Sequence, residues 1–441
     1  MASSSARLDI RSPKPLTYLI VFICWLAILS EGYDVGVMGA ILPSLATDSR
    51  WNLSPLELGA LGSYALVGMF FGALAIGTLS DLYGRKRMFL FCIVLFSLTM
   101  SGAAWAPTPG LFGAFRFIGG LGLGGIIPIA AAYTIEFSPP EKRGVNYGLM
   151  YSGYSLGILL AAVVAIYLTP IFGWRTVVGV GLIPLVFVPV MAYLLPESIE
   201  FLVSKGRIDE ARRVARARGV ELPSNLALNS LPQAHWRTVL AEIFSNGNAL
   251  ATVCFWISIS MGLLLVYGLN TWLPQIMRKA GYDLGSSLSF LVVFSLASAI
   301  GGVGIGMTAD RKGTKLIVAI SFLVGAVGIA ALSFKGSLLV NYGLVALAGL
   351  GSISASLILT AYIANYYAPH ARTSATGWAM AIARLGAMSG PLLGGYIASL
   401  QLDFIWNFLA FAAVAIIAAI AVLLIPERGS RIPAAISVPA E

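Results

Sequence analysis

Two carboxylates, Glu31 and Asp34, lie in the otherwise apolar stretch 26–43. Residues three apart on an α-helix project from one face, so both side chains would reach the same site. An ionised side chain at bilayer depth costs at least about 3 kcal/mol. Desolvation and mutual repulsion both favour the protonated form, which suits reversible proton binding. We predict that Asp34 and Glu31 couple proton binding to a conformational change. The alternative is that one of them only neutralises an arginine in a structural ion pair.

Two arginines, Arg116 and Arg384, also fall inside long apolar segments. A guanidinium does not lose its charge, so a buried one needs an anionic partner or an anionic ligand. Its planar fork binds a carboxylate through two hydrogen bonds and can stack on an aromatic ring. We predict that Arg116 and Arg384 bind a substrate carboxylate, or that one does so while the other pairs with Asp34 or Glu31. A salt bridge between helices that is indifferent to substrate is the alternative.

Asn270 is a polar side chain within the apolar run YGLNTWLP (267–274), and we expect it to hydrogen-bond to a substrate. Aromatic side chains in apolar segments could line a pocket for an aryl ring. Most such residues in membrane proteins serve packing or lie at the membrane interface, so each one is a weaker signal than the charges. The aromatic candidates are Tyr33, Tyr64, Tyr267, Trp272, Tyr362, Tyr366 and Trp378.

The sequence shows no set of residues typical of an enzyme. Its two histidines, His235 and His370, lie in polar segments, so neither competes with the acids for the proton. The glycine-rich run 119–125 lies in an apolar segment and lacks the Lys-Ser/Thr of a phosphate-binding loop. We find no nucleophile–base pair and no metal-ligand set. We therefore expect a protein that is not an enzyme, with no metal and no cofactor, and with the proton as coupling ion.

Long apolar helices must position these residues. The chain is 58% hydrophobic and 11% charged, whereas soluble proteins carry about 25% charged residues. A helix that spans a bilayer needs about 20 apolar residues. The sequence therefore predicts an all-α polytopic membrane protein with 12 transmembrane helices in the lipid bilayer. The predicted spans lie near 17–42, 56–80, 88–106, 111–135, 146–169, 176–195, 249–273, 285–309, 315–334, 339–364, 374–397 and 404–425.

The net charge of +9 is unevenly distributed along the chain. With the N-terminus in the cytoplasm and the spans alternating, most of the 28 lysines and arginines fall in cytoplasmic segments. This asymmetry follows the positive-inside rule and places both termini in the cytoplasm. It also accounts for the positive charge without a nucleic-acid partner. We expect a monomeric, multi-pass protein of the inner (plasma) membrane.

One long polar stretch divides the spans six and six. We predict an N-terminal six-helix half (1–195), a cytoplasmic linker (196–248) with a basic amphipathic helix at 207–218, and a C-terminal half with a cytoplasmic tail (249–441). The halves are related by sequence, because several matching residues are separated by the same 229 positions. The matching pairs are Asp81 and Asp310, Arg143 and Arg372, Gly148 and Gly377, and Gly157 and Gly386. Two pseudo-symmetric six-helix halves are typical of alternating-access transporters with a site at the midplane.

Several motifs carry a resemblance to a known family. The run from Gly77 through Asp81 to GRKR (84–87), with a degenerate second copy after span 8, resembles the loop signature of the major facilitator superfamily. More narrowly, four segments resemble the aromatic acid:proton symporters, which include benzoate and hydroxybenzoate carriers. These segments are EGYD (31–34), FRFIGGLGLGG around Arg116, YGLNTWLP (267–274) and GWAMAIARLGAMSGPLLGG (377–395). Glu31 departs from the pattern of that family, which usually has Asp at this position.

The resemblance implies a secondary active transporter that imports a small aromatic monocarboxylate with protons by alternating access. The carboxylate would lie between the halves, with one arginine on each side. The resemblance also supports a gate at the cytoplasmic ends of the spans, where a charge network would lock the outward-open state. The gate residues are Gly77, Asp81, Arg85, Glu136, Arg143, Asp310, Arg311 and Arg372.

Alternative functions remain open at the level of sequence. A proton-coupled symporter of aliphatic organic acids or sugars is one, because PESIEFLVSKGR (196–207) resembles a segment shared by several such carriers. A proton-antiport exporter of drugs or metabolites is another. Exporters typically have a Gly-Pro pair in span 5, whereas here Gly390-Pro391 lies in span 11. A non-transporting receptor of the same fold would bind its ligand without translocating it.

Overall fold

The computed structural model describes residues 12–222, 243–244, 248–334, 336–367 and 369–427. The N-terminal half is built entirely from helices. These are α1 (Lys14–Leu45), α2 (Pro55–Tyr83), α3 (Arg85–Trp105), α4 (Pro109–Glu136), α5 (Arg143–Phe172), α6 (Trp174–Gly179) and α7 (Ile183–Leu194). A 3₁₀ turn at Val180–Leu182 joins α6 to α7, and together they form the sixth span.

The linker contributes α8 (Ile199–Ser204) and α9 (Ile208–Arg218), and α9 occupies the predicted amphipathic segment. Most of the remaining linker lies outside the described residues, so the division at 195 and 248 stays a prediction. A π-helical turn, Leu350–Ser354, joins two of the helices that follow. The C-terminal half comprises α10 (Ala249–Lys279), α11 (Leu284–Lys312), α12 (Thr314–Ala331), α13 (Leu338–Gly349), α14 (Ala355–Tyr366), α15 (Pro369–Ser399) and α16 (Ile405–Leu423).

The predicted all-α, twelve-span architecture is confirmed. Eleven spans in the described part of the chain are long and apolar enough to cross a membrane. The twelfth predicted span, 374–397, lies within α15, whose 31 residues are also long enough. Arg384 and several glycines make α15 less apolar than the others. The lower hydrophobicity of α15 is therefore due in part to Arg384, a predicted site residue.

Two glycines show that the halves repeat the same backbone. Gly84 ends α2 and Gly313 ends α11, and the 229-residue offset relates them. Both adopt a positive φ, 104° and 96°, which residues with a Cβ rarely adopt. The turn at each glycine lets the next helix, α3 or α12, begin at once.

Close backbone contacts hold α5 against α1 in the first half and α15 against α10 in the second half. Gly157 of α5 approaches the backbone carbonyl of Leu29 in α1, where a Cβ would overlap the oxygen. Gly386 of α15, the residue related to Gly157 by the 229-residue offset, approaches the carbonyl of Ser260 in α10 in the same way. The pairs α1–α5 and α10–α15 therefore pack as units, and each unit presents charged side chains to the other half.

The halves are packed together at one end of the bundle, which we call the distal end. The opposite end, which carries α8 and α9, is the linker end. At the distal end, a Cβ on Gly59 would lie 2.7 Å from the carbonyl oxygen of Pro391. Ser63 Oγ donates a hydrogen bond to the carbonyl oxygen of Met388 at 2.8 Å. Helix α2 is thus held against α15 of the other half.

At the linker end, the same helices stand apart. A Cβ added to any of four glycines there would meet no atom of the described residues within 4 Å; these are Gly77, Gly148, Gly306 and Gly377. The 229-residue offset relates Gly77 to Gly306 and Gly148 to Gly377. Gly77 lies on α2 and Gly377 on α15, and these two helices contact each other. Gly148 lies on α5 and Gly306 on α11, which also contact each other. The cavity between the halves therefore opens at the linker end.

A polar and aromatic cluster holds the distal end of the N-terminal half. The rings of Trp51 and Trp174 meet edge to face at 5.1 Å, and the Arg175 guanidinium lies 4.5 Å from the Trp174 ring centroid. Asp48 accepts hydrogen bonds from Trp174 Nε1 at 3.1 Å and from Arg50 Nη2 at 2.9 Å. The hydrogen bond from Arg50 lowers the pKa of the Asp48 carboxyl to about 2.

Candidate functional site

Glu31 lies in the middle of α1 and is fully buried. Neither of its carboxylate oxygens has a hydrogen-bond partner among the described residues. A buried ionised carboxylate without a donor is strongly disfavoured relative to its neutral form. Whether the Glu31 carboxyl is ionised therefore depends on which charged or polar groups lie near it.

Asp34, one turn further along α1, has a different partner. Arg116 of α4 donates to Asp34 Oδ1 through Nη1 and to the Asp34 backbone carbonyl through Nη2, the latter at 3.2 Å. Nη1 also contacts Met100 Sδ at 3.3 Å. Asp34 and Arg116 are both buried and belong to the N-terminal half. Of the pairings that the sequence left open, Arg116 with Asp34 is the one that the structure contains.

Arg384 projects from α15, in the C-terminal half, and is half-buried. Its guanidinium makes no hydrogen bond or ion pair with a described residue. It lies within electrostatic range of the Glu31 carboxylate, but the two do not form an ion pair. The same range includes Tyr267 of α10 and Tyr151 and Tyr154 of α5. The structure thus brings Glu31, Arg384 and Tyr267 together from the two halves.

Three tyrosines on α5, which sequence reasoning missed, form a stacked aromatic ladder. The rings of Tyr147 and Tyr151 stack with centroids 6.1 Å apart, and those of Tyr151 and Tyr154 stack at 5.8 Å. Tyr147 is exposed near the linker end, whereas Tyr154 is buried beside Glu31. Their spacing of four and then three residues, which places all three on one helix face, is the signal that could have identified them.

Several predicted substrate residues use their polar groups within the protein. Tyr33 donates its hydroxyl to the carbonyl of Val177 at 2.7 Å, and Trp272 Nε1 donates to the carbonyl of Pro391 at 2.8 Å. Asn270 Nδ2 donates to the carbonyl of Val35 at 3.1 Å, which joins the two halves on the distal side of the acids. Its Oδ1 has no partner among the described residues.

The remaining aromatic candidates lie away from the two acids. Tyr362 and Tyr366 pack edge to face against Phe255 at 5.2 and 5.1 Å. Trp378 is exposed near the linker end of α15, and Tyr64 is exposed on α2, where its ring covers Gly113. The structure therefore does not bring these residues to Glu31 and Arg384.

The predicted gate residues of the first half contact the linker. Glu136, at the end of α4, pairs with Arg85 at 2.8 Å and accepts hydrogen bonds from Ser198 Oγ and from the backbone N–H of Ile199, both at 2.7 Å. Arg85 also pairs with Glu200 at 3.2 Å. This network fixes the start of α8 against the N-terminal half. In the described conformation it does not connect the two halves.

The other gate candidates have few partners. Arg143 Nε donates to the carbonyl of Ile135 at 3.2 Å. Asp81, Arg311 and Arg372 are exposed and form no ion pair with a described residue. The side chain of Asp310 lies outside what the structure describes. Their role in a gate stays a prediction.

Membrane-spanning helices in two related halves, with opposite buried charges contributed by the two halves, are typical of a membrane carrier. The family profile of the Major Facilitator Superfamily matches residues 24–363 and 291–440. The chain is 37% identical to the benzoate transport protein of Acinetobacter baylyi, over 96% of this chain and 92% of that protein. It is 32% identical to the 4-hydroxybenzoate transporter PcaK of Pseudomonas aeruginosa, over 90% and 88%. The chain belongs to the major facilitator superfamily and, within it, to the aromatic acid transporters.

The fold agrees with solved structures. The xylose transporter XylE from E. coli, in a partially occluded inward open conformation, matches with a TM-score of 0.72 at 20% sequence identity. The match covers 92% of this chain and 97% of that one. At this identity the likeness establishes the architecture.

Proposed function

We propose that this protein imports an aromatic monocarboxylate of the benzoate or hydroxybenzoate class together with protons, by alternating access across the inner membrane. The observation that carries the proposal is the arrangement of Glu31 and Arg384, which come from opposite halves and lie within electrostatic range of each other without forming an ion pair. The names of the benzoate and 4-hydroxybenzoate relatives support the substrate class.

Arg384 binds the substrate in this mechanism. Its guanidinium forms no ion pair with a described residue and is able to bind a carboxylate through two parallel hydrogen bonds. The stacked rings of Tyr147, Tyr151 and Tyr154 form an aromatic ladder that runs from near the linker end toward Glu31. Aromatic pairs stabilise a complex by about 0.5–1.5 kcal/mol beyond the area that they bury. A flat aryl carboxylate therefore suits the cavity better than a sugar, which needs no arginine.

Glu31 carries the coupled proton in this mechanism. When Arg384 is free, its positive charge favours the ionised form of Glu31. When a substrate carboxylate occupies Arg384, that favourable charge is neutralised, and the buried Glu31 takes up a proton. Substrate binding and proton binding are thereby linked, and each favours the other. Asp34 remains ionised against Arg116 and serves to fix the helix that carries Glu31.

The energetics of uptake require the proton. An anion that enters against an inside-negative potential loses about 2.3 kcal/mol per charge for each 100 mV. One proton per monocarboxylate makes the translocated load neutral, so that the pH gradient alone drives uptake. The positive-inside rule supports a cytoplasmic linker end, cytoplasmic termini and an inward-open conformation. We expect a monomer in the lipid bilayer.

The test is uptake into proteoliposomes. We expect an inward pH gradient to drive the accumulation of radiolabelled benzoate or 4-hydroxybenzoate, and a protonophore to abolish it. Xylose and acetate serve as comparison substrates, and we expect neither to be accumulated above the level that protein-free liposomes reach by passive entry of the undissociated acid. If the purified protein accumulates a sugar or an aliphatic acid but no aromatic acid, the proposed substrate class is wrong.

A further inference from the structure

A surface pocket at the linker end has no part in the transport mechanism. It has a volume of about 270 Å³ and lies between the start of α3, the segment after the sixth span, and α9. Apolar side chains form much of its wall; these are Leu195, Pro196, Val214 and Ala217. Its charged lining residues are Lys86, Glu197 and Arg218. The pocket therefore combines an apolar wall with two cationic groups, a combination that suits an amphiphile with an anionic head.

The positive charge of this pocket is only partly balanced. Lys86 is half-buried, and its ammonium forms no hydrogen bond or ion pair with a described residue. Arg218 lies within electrostatic range of Lys86 and donates one hydrogen bond, from Nη2 to the carbonyl of Tyr193 at 3.2 Å. Glu197 is the one acid of the lining, and its Oε1 accepts from the backbone N–H groups of Lys86 and Ser198, each at 3.0 Å. Two cations and one carboxylate leave room for one further negative charge.

An exposed apolar stripe on the sixth span leads to this pocket. Val186, Val190 and Tyr193 are 73%, 53% and 81% exposed, and their spacing of four and then three residues places them on one face of α7. A tyrosine at the end of a span is typical of the membrane interface. Because the carbonyl of Tyr193 accepts the hydrogen bond from Arg218, the stripe meets the pocket at the depth of the lipid headgroups.

We infer that this pocket binds the phosphate headgroup of an anionic phospholipid, whose acyl chain lies along the stripe formed by Val186, Val190 and Tyr193. Lys86 and the remaining N–H groups of Arg218 donate charge-assisted hydrogen bonds to the phosphate. Basic side chains next to a membrane surface attract anionic lipids in this way. A free phosphate ion offers the same charge but leaves the apolar wall and the stripe without a partner. The inference concerns neither the substrate nor the coupled proton, so it stands apart from the proposed function.

The experiment measures lipid binding to the purified, delipidated full-length protein by native mass spectrometry. Phosphatidylglycerol is compared with phosphatidylcholine that carries the same acyl chains. We expect wild type to bind the first phosphatidylglycerol about tenfold or more tightly than the first phosphatidylcholine. Lys86→Gln and Arg218→Gln should each lower this ratio about fivefold, which is the contribution of one basic side chain near an anionic lipid. Lys86→Arg keeps the charge and should retain most of the preference.

Arg212→Gln is the matched control. Arg212 is exposed on the same helix but lies on the face opposite Val214 and Ala217, so this variant removes one charge outside the pocket and should keep the wild-type ratio. Equal binding of the two lipids by wild type overturns the inference. A loss in Arg212→Gln as large as that in Lys86→Gln also overturns it, because net charge alone would then explain the preference. Displacement of phosphatidylglycerol by excess inorganic phosphate would show a site for the free ion and contradict the assignment to a lipid.

Discussion

Two acids one helical turn apart on α1 each have an arginine near them, and the two acid–arginine combinations differ in which half supplies the arginine and in whether they form hydrogen bonds. Asp34 and Arg116 belong to the same half, form direct hydrogen bonds and are buried. Glu31 and Arg384 belong to different halves and do not pair; Glu31 is buried, and Arg384 is half-buried. A charge pair within one half moves as a unit when the halves rearrange. A pair between halves changes its separation, so only the second can report which side of the carrier is open.

The largest expected effect is on the pair within the half. Arg116→Gln leaves the buried Asp34 carboxylate without its partner, and breaking a buried ion pair in this way costs about 3–5 kcal/mol. We expect a much lower unfolding temperature for the purified protein in detergent. The double variant Asp34→Asn with Arg116→Gln removes both charges and should recover most of the loss. An Arg116→Gln protein that unfolds at the wild-type temperature would contradict a structural role for this pair.

Arg384→Gln should weaken substrate binding and leave the stability of the protein nearly unchanged. The guanidinium makes no bond with a described residue in this conformation, so the unfolding temperature should change little. Hydrogen bonds to a charged group contribute about 1.5–3 kcal/mol, so the dissociation constant for benzoate should rise by about 10–150-fold. Calorimetric titration checks the affinity, and Arg384→Lys, which keeps the charge but loses the fork, should fall between the two. Wild-type affinity in Arg384→Gln would place the substrate elsewhere.

Two glycines of α5 sharpen the comparison between fixed and moving contacts. Gly157→Leu would overlap the backbone of α1, so this variant should fail to fold. Gly148→Leu has open space in the described conformation, and its unfolding temperature should match wild type. In the opposite conformation we expect Gly148 to face α11, where overpacking by about 1–3 kcal/mol would slow uptake roughly tenfold. Normal uptake by Gly148→Leu would show that α5 and α11 do not close at this point.

The smallest effect concerns an ion pair outside the membrane spans. Asp48 is held by Arg50, and its folded pKa of about 2 lies below the ordinary value of 3.8. Its contribution to stability is therefore complete above about pH 4 and is lost as the pH falls toward 2. Exposed ion pairs contribute about 0.2–1 kcal/mol. We expect Asp48→Asn to unfold slightly earlier than wild type at pH 6, with a difference that shrinks at pH 3. A difference that grows on acidification would contradict this assignment.

The sequence predicted the spans, the repeat and all four central charges, because charges in apolar segments and a constant offset are visible without coordinates. It could not assign the partners. Arg116 is 82 residues from Asp34, and only the packing of α4 against α1 brings them together. Asn270 and Trp272 were predicted to contact substrate, but their donors serve contacts within the protein. Tyr151 and Tyr154 were missed because 17 tyrosines and 22 phenylalanines obscure a ladder defined by stacking.

The most direct measurement of the central claim separates exchange from accumulation. In proteoliposomes loaded with unlabelled benzoate, Glu31→Gln should exchange it for labelled benzoate, since Arg384 is retained and Gln imitates the neutral acid. Under an inward pH gradient, the same variant should accumulate at least about tenfold less benzoate than wild type, because no proton site remains to couple the gradient. If Glu31→Gln accumulates benzoate as wild type does, and a folded Asp34→Asn protein does not, then Asp34 carries the coupled proton and the division of roles proposed for the two acids is wrong.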